Sequence, residues 1–312
     1  MSLPALRDLR RNFPGAELTV LARPWVADLY LGVEGVDRVM LSSSFKSNVE
    51  RLRGAADHAV LFTNSFRSAL EVFRAGIPER WGYRREGRRL LLTRSAPVPL
   101  LLRGQSQVYY YRAMLGSLGL RVSATPDASF SCPQEWSVRG AELLGADGPW
   151  LGLNPGAAYG TAKRWIPERY AAVADRLASS HGLKTVVLGG PGEEPLGRAI
   201  AEAMSGKPRL LVGETSLQDL VGVLSRLQLL LTNDSGPMHL AGALGIPEVA
   251  IFGPTDDRET FPHGRHAIVR EVVDCAPCLL RECPIDHRCM TRVSVERVAS
   301  ECRELLRAEG AS

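Results

Sequence analysis

The chain has no apolar run long enough to cross a bilayer. Stretches such as Leu227–Thr232 and Val249–Phe252 fall far short of the roughly 18 residues a span requires. Its first residues, MSLPALRDLRRNFPG, carry no apolar core, so a signal peptide is not expected. Cysteine is scarce, with 6 in 312 residues, which excludes a disulfide scaffold and makes a reducing cytoplasm the expected compartment. Net charge is also small: 38 basic against 34 acidic residues give +4, too little for a dedicated nucleic-acid binder. No G-x-x-x-x-G-K-[ST] loop and no G-x-G-x-x-G fingerprint occurs, so ATPase and NAD-binding readings are weak. What remains is ordinary globular composition, 45% hydrophobic and 23% charged, at a length that suggests two domains or one large one.

The charge is unevenly spread. Residues 1–149 hold 20 basic and 14 acidic side chains, and residues 150–312 hold 18 and 20. The excess is concentrated in Arg80, Arg84, Arg85, Arg88, Arg89 and Arg94, with Glu86 the one acid among them. Such a stretch suits either an anionic substrate or a solvated loop.

Short apolar runs alternate with helical patterns. Strands are expected at Glu17–Ala22, Arg38–Leu41, His58–Thr63, Trp150–Asn154, Thr185–Leu188, Arg209–Val212, Gln228–Thr232 and Glu248–Phe252. Helices are expected near Leu3–Arg11, Arg67–Ala75, Ser106–Leu118, Pro167–Ser179, Glu194–Met204, Ser216–Leu224, Pro237–Leu244 and Ser294–Arg307. This alternation predicts an α/β protein with parallel sheets. The turn-rich GADGP at Gly145–Pro149 sets the expected domain boundary, giving domains 1–147 and 148–312. A doubly wound domain normally opens on a strand, but this chain opens on a helix, so the first strand of the N-terminal sheet is expected to be missing. Glu17–Ala22 or His58–Thr63 is then expected to form a sheet edge.

Three loops carry chemistry. Leu229–Phe252, LLLTNDSGPMHLAGALGIPEVAIF, puts Asp234, Ser235 and Gly236 between a buried strand and a helix bearing His239, and Gly253-Pro254-Thr255 follows the next strand. Backbone N–H groups at that helix start form an anion site, and two such loops side by side describe a diphosphate pocket; a capped helix and an ordinary turn explain the residues equally. Asn154–Glu168, NPGAAYGTAKRWIPE, offers Lys163, a compact phosphate ligand. Because Lys163 sits in a loop, its removal is expected to affect turnover more than folding. In Gly189–Glu193, GGPGE, the carboxylate of Glu193 suits ribose hydroxyls or the following helix N-terminus.

Taken together, NPGA…AKRW.PE, GGPGEE and NDSGPMHLAGALGIP…FGPTD resemble the ADP-heptose:lipopolysaccharide heptosyltransferase family, nearest the heptosyltransferase II type; NSFRSAL at Asn64–Leu70 and the cysteine segment Cys275–Cys289 do so too. The resemblance runs over essentially the whole chain. It implies a GT-B fold, two Rossmann-like domains facing across a cleft, with an inverting transfer of heptose from ADP-L-glycero-D-manno-heptose to the inner core of lipopolysaccharide. On matching positions, Lys163 contacts the donor diphosphate, Glu193 the adenosine ribose, and Asp234, Ser235, Gly236 and His239 the sugar-diphosphate. Lys163 and Asp234 are the residues closest to the chemistry. Asn64, Ser65, Arg67 and the arginine stretch face the anionic, lipid-linked acceptor, which implies peripheral contact with the inner membrane. No cofactor, metal or nucleic acid is implied. The family's general base is an aspartate in a Gly-Asp pair just before a segment resembling Ser2–Leu6, and it is expected to lie ahead of Met1. A non-catalytic or weakly active sugar-nucleotide binder lacking that base and a transferase of another nucleotide sugar are the alternatives. If the chain is fully active as it stands, the base is to be sought among residues present, such as Asp8 or Glu17.

Cys275, Cys278, Cys283 and Cys289 read C-x2-C-x4-C-x5-C, with His287 between. Four thiolates suffice for a tetrahedral zinc site, but the spacing lacks two separated CxxC pairs, so reduced or partly bridged thiols remain the other reading. Cys132 and Cys302 are isolated.

Overall fold

A computed structural model describes residues 1–99, 102, 104–145 and 148–309. They form two compact units, Met1–Ala128 and Ser129 onward.

In the first unit, β1 (Thr19–Ala22) pairs in parallel with β2 (Arg38–Leu41). β3 (His58–Leu61), β4 (Glu79–Tyr83) and β5 (Arg94–Ala96) form a second parallel sheet. Alternation of side chains decides what each face meets. Val20 of β1 and Val60 of β3 pack on α1 (Leu3–Asn12) and α4 (Gln107–Ser117) through Leu6, Leu9 and Leu115. Leu21, Ala59 and Leu61 pack on α2 (Phe45–Leu52) and α3 (Phe66–Arg74) through Val49, Leu52 and Val72. The two sheets thus share both helical layers, yet no ladder joins β1 to β3. Both strands named as candidate edges are edges, each paired on one side.

The sequence pattern does not reveal β4, β5, α2 or α5 (Gln134–Leu144). β4 is obscured by charge at its start. Glu79 accepts from Trp81 Nε1 at 2.8 Å and Thr93 Oγ1 at 2.9 Å, and Arg80 caps the carbonyls of Ile77, Pro78 and Leu91.

The second unit has one six-stranded parallel sheet, ordered β11-β10-β9-β6-β7-β8, from β6 (Trp150–Asn154), β7 (Lys184–Val187), β8 (Arg209–Leu210), β9 (Leu229–Asn233), β10 (Glu248–Phe252) and β11 (His266–Arg270). β6, β9 and β10 are buried at every position. One face packs on α6 (Pro167–His181) and α10 (Val295–Glu309), with Leu153, Leu231 and Ile251 against Tyr170, Leu177 and Val298. The other packs on α5 and α8 (Leu217–Leu224), with Trp150 and Leu230 against Leu144 and Val223. α7 (Glu194–Ala203) follows β7, and α9 (Gly236–Leu244) follows β9. Winding reverses between β6 and β9.

α5 packs with this second unit, although it precedes the 147/148 boundary that GADGP suggests; Ala146 and Asp147 of that segment lie outside the described residues. The cause is a glycine contact. A Cβ at Gly140 meets the Gly222 carbonyl carbon at 2.2 Å, so the backbones of α5 and α8 touch directly. Phe130 N–H also donates to Ala243 O at 2.7 Å.

Gly140→Ala forces these backbones apart and costs about 1–3 kcal/mol, read as a lower urea midpoint. A second expectation concerns Glu248, fully buried at the start of β10 with no well-formed hydrogen-bond partner for either oxygen. Burial raises its pKa well above the usual 4.5. The folded chain therefore keeps a proton that the unfolded chain releases, so stability falls as pH rises through about 4.5 and beyond. Glu248→Gln raises Tm at pH 8, and the gain disappears by pH 4.

Candidate active site

Ligands of doubly wound sheets bind outside the carboxyl ends of the strands where winding reverses. Here that place is the ends of β6 and β9, and three of the sequence-predicted loops converge on it.

Asn233, the last residue of β9, is fully buried. Its Oδ1 accepts from Trp165 N–H at 3.2 Å and from the Tyr170 hydroxyl at 2.8 Å, and its Nδ2 donates to Pro155 O at 2.7 Å. One side chain thereby ties β9 to both ends of the loop that carries Lys163. Asn154, the last residue of β6, donates from Nδ2 to Thr232 Oγ1 at 3.2 Å and to Ser235 Oγ at 3.0 Å.

Lys163 ends a 3-10 turn, Thr161–Lys163. Its Nζ donates to Asp234 Oδ2 at 2.5 Å, and Thr255 Oγ1 donates to the same oxygen at 2.7 Å. The ion pair is mostly buried. Asp234 is therefore not the cap of α9: Ser235 occupies that position, without a side-chain cap bond. Gly236 is exposed, and a Cβ there meets nothing within 4 Å. The space above this helix start is open. His239, half-buried one turn along α9, has its pKa pushed down to about 4 by desolvation, so it is neutral near pH 7.

Glu193 closes the third side. Its Oε2 accepts from Gly190 N–H at 2.9 Å, and its Oε1 accepts from Ala157 N–H at 3.1 Å. Arg164 lies 3.5 Å away. A Cβ on Gly156 sits 2.1 Å from the carboxylate, so only glycine lets this staple form.

A strap distant in sequence, residues 279–287, covers these loops. Leu279 N–H donates to Pro254 O at 2.8 Å, Tyr159 Oη donates to Leu279 O at 2.8 Å, and Ala162 N–H donates to Arg281 O at 2.9 Å. His287 Nε2 lies 2.6 Å from Ala162 O. Cys275, Cys278, Cys283 and Cys289 line one cavity of about 110 Å³ beneath the strap, and all are free. Burial pushes the Cys289 thiol up to about 11. No three His, Cys, Asp or Glu side chains are arranged to hold a metal ion among the described residues.

In the first unit, the acceptor candidates divide. Ser65 caps α3, accepting from Ser68 N–H at 3.2 Å, and Arg67 pairs with Glu71 at 3.0 Å. Asn64 donates to Tyr110 Oη at 2.7 Å and leaves its own buried Oδ1 without a partner. The arginine stretch is not one patch. Arg88 is buried against the carbonyls of Tyr83 and Thr63, Arg80 is spent on carbonyls, and Arg94 stacks on Trp81 while donating to Leu118 O. Arg84, Arg85 and Arg89 are exposed. Asp8 is fully buried, bonded to Arg112 at 2.8 Å and to Ser123 N–H at 3.0 Å, and Glu17 pairs with Arg38 at 3.1 Å. Neither substitute base is a free carboxylate.

Two Rossmann-like α/β units, one with polar loops gathered at its reversal point, define a GT-B glycosyltransferase. Residues 46–288 match the model of glycosyltransferase family 9 (heptosyltransferase), and the chain belongs to that family. It is 28% identical over 342 residues to lipopolysaccharide heptosyltransferase 2 of Escherichia coli (strain K12), covering 100% of this chain and 96% of the relative. The same protein of Salmonella typhimurium is also 28% identical, over 338 residues covering 99% and 95%. The solved E. coli ADP-heptose lps heptosyltransferase II superposes with a TM-score of 0.86 at 27% identity, over 99% of this chain and 95% of that one.

The pattern alone did not single out Asn154, Asn233 or Tyr159, and it read the cysteine segment without its contacts to the β6 loop. The asparagines lay inside motifs already quoted, but their partners become visible only when β6 and β9 are adjacent. Asn233→Ala leaves Trp165 N–H, the Tyr170 hydroxyl and Pro155 O unpaired in the core. The expected loss is about 3 kcal/mol or more, measured by urea unfolding.

Proposed function

We propose that the chain transfers heptose from ADP-L-glycero-D-manno-heptose to the inner core of lipopolysaccharide with inversion. The observation that carries this reading is the convergence of Lys163, Asp234, Thr255 and the uncapped start of α9 at the reversal point of the second sheet. The names of the relatives, which include an ADP-heptose transferase, support it.

In the reaction, an acceptor hydroxyl oxygen attacks the anomeric carbon from the face opposite ADP and gives up its proton to solvent water. The bond from that carbon to the phosphate oxygen breaks, and negative charge grows on the departing diphosphate. Lys163 and the N–H groups at Ser235 and Gly236 are fixed before this charge appears, so stabilising it requires little rearrangement. Asp234 acts by holding Lys163. Glu193, between two nucleotide-side loops, offers acceptor oxygens to the ribose. His239, uncharged, adds a hydrogen bond without a further cation. Asn64, with Arg84, Arg85 and Arg89 as the exposed cations, faces the anionic acceptor; Ser65 and Arg67 shape the same turn. Because the acceptor is lipid-linked, the reading places the protein in the cytoplasm against the inner membrane. Among the described residues no helix is long and apolar enough to cross one.

A weakly active sugar-nucleotide binder is the second reading. It is favoured by the commitment of Asp8 and Glu17 to ion pairs.

Transfer from ADP-heptose to a heptose-deficient core decides between the two: turnover supports the first, and ADP binding without turnover supports the second. The expectation for Lys163 changes with the structure, because Lys163→Ala strands a buried Asp234 carboxylate. Lys163→Met is expected to lower Tm and to reduce kcat/KM by about 10- to 100-fold. Lys163→Met combined with Asp234→Asn recovers Tm but not turnover. Recovery of turnover by the double variant overturns the role given to Lys163.

A further inference from the structure

We propose that Arg281, on the strap, is the second cation of the diphosphate site and that Tyr159 is the platform that presents it. The inference rests on the reading of this site as one for a nucleoside diphosphate.

The argument is one of charge balance. The loop after β6 carries Lys163 and Arg164, and Arg281 of the strap lies over its Tyr159. Lys163 is already paired with Asp234 at 2.5 Å, and Arg164 lies 3.5 Å from Glu193. Each pair is close to neutral as seen by an arriving anion. A diphosphate needs cationic charge that is not already compensated. Arg281 supplies it: its side chain is exposed, and it has no carboxylate partner among the described residues.

Its position is built rather than incidental. The Tyr159 ring carries Lys163 Nζ 5.0 Å from its centroid and the Arg281 guanidinium carbon 5.1 Å from it. The two cations therefore lie within about 10 Å of each other, on one aromatic support. The ring itself is fixed, because its hydroxyl donates to Leu279 O at 2.8 Å. The strap backbone is fixed as well. Arg281 O accepts from Ala162 N–H at 2.9 Å, and a Cβ on Gly160 sits 2.2 Å from that same oxygen. Gly160 is thus the residue that lets the strap approach the Lys163 loop. The main chain of Arg281 makes these contacts and leaves the guanidinium free for a ligand. Its planar donor fork matches two phosphate oxygens at once, whereas Lys163 acts as a point charge.

The test uses the full chain and calorimetry with ADP, AMP and adenosine. Arg281→Ala removes the cation and keeps the backbone oxygen, so the fold and Tm are expected to be unchanged. ADP affinity is expected to fall about 10-fold or more, AMP affinity less, and adenosine affinity not at all. Arg281→Lys is expected to restore part of the loss. Tyr159→Leu, which removes the platform, is expected to weaken ADP in the same direction. Equal ADP affinity of wild type and Arg281→Ala overturns the inference while leaving the site reading intact. An equal loss for ADP and adenosine also overturns it, since the effect is then not on phosphate. Failure of the wild type to bind ADP overturns both.

Discussion

The carboxamide of Asn233 is the bond on which the site's order depends. It sits where β9 ends, shut off from solvent, and it meets donors and an acceptor from the far side of the β6 loop. A chain of 11 residues between Pro155 and Trp165 has many conformations of similar energy. Fixing its two ends to one buried side chain removes most of them. The Lys163 ammonium therefore arrives opposite Asp234 as a consequence of geometry set elsewhere. Thr232, Asn154 and Ser235 extend the same network toward the start of α9.

This network explains how a charge pair is kept at the candidate site. Lys163 and Asp234 are both largely removed from solvent. Thr255 shares the carboxylate, so the desolvation of Asp234 is offset by two donors rather than one. The pair fixes Lys163 in direction without leaving a bare positive charge. Glu193 does the same for the glycine turn after β7, tying it to Ala157 across the reversal point. Asn154 and Asn233 hold these loops without a part in the proposed chemistry, whereas Lys163, Asp234 and Glu193 combine both tasks.

The fold was legible wherever a strand is buried on both faces, because burial forces a continuous apolar run: β6, β9 and β10 are such strands. β4 was not, because its first residues are charged and find partners outside the strand, and β11 was not, because histidine and arginine close its ends. α5 was missed for a different reason. Its packing turns on Gly140 meeting Gly222, and nothing in a periodic pattern marks two glycines as partners. That Lys163, Asp234 and Glu193 lie on neighbouring loops could be read, because those loops follow recognisable strands. Arg80, Arg88 and Arg94 were misread as one patch, since sequence crowding says nothing about which carbonyl or ring each guanidinium meets. The strap joins Tyr159 to Leu279 across 120 residues, a separation that no local signal spans.

The uneven burial of the strands has a consequence for how the molecule opens. β6, β9 and β10 have no exposed position, whereas β1, β2 and β3 are mostly half-exposed and β1 and β3 each end a ladder. Amide protons in the first group exchange with solvent only when the second unit's whole sheet comes apart. Those in the second group exchange through small local openings. The strands of the two units thus differ in protection, and the slowest-exchanging amides are those of β6, β9 and β10.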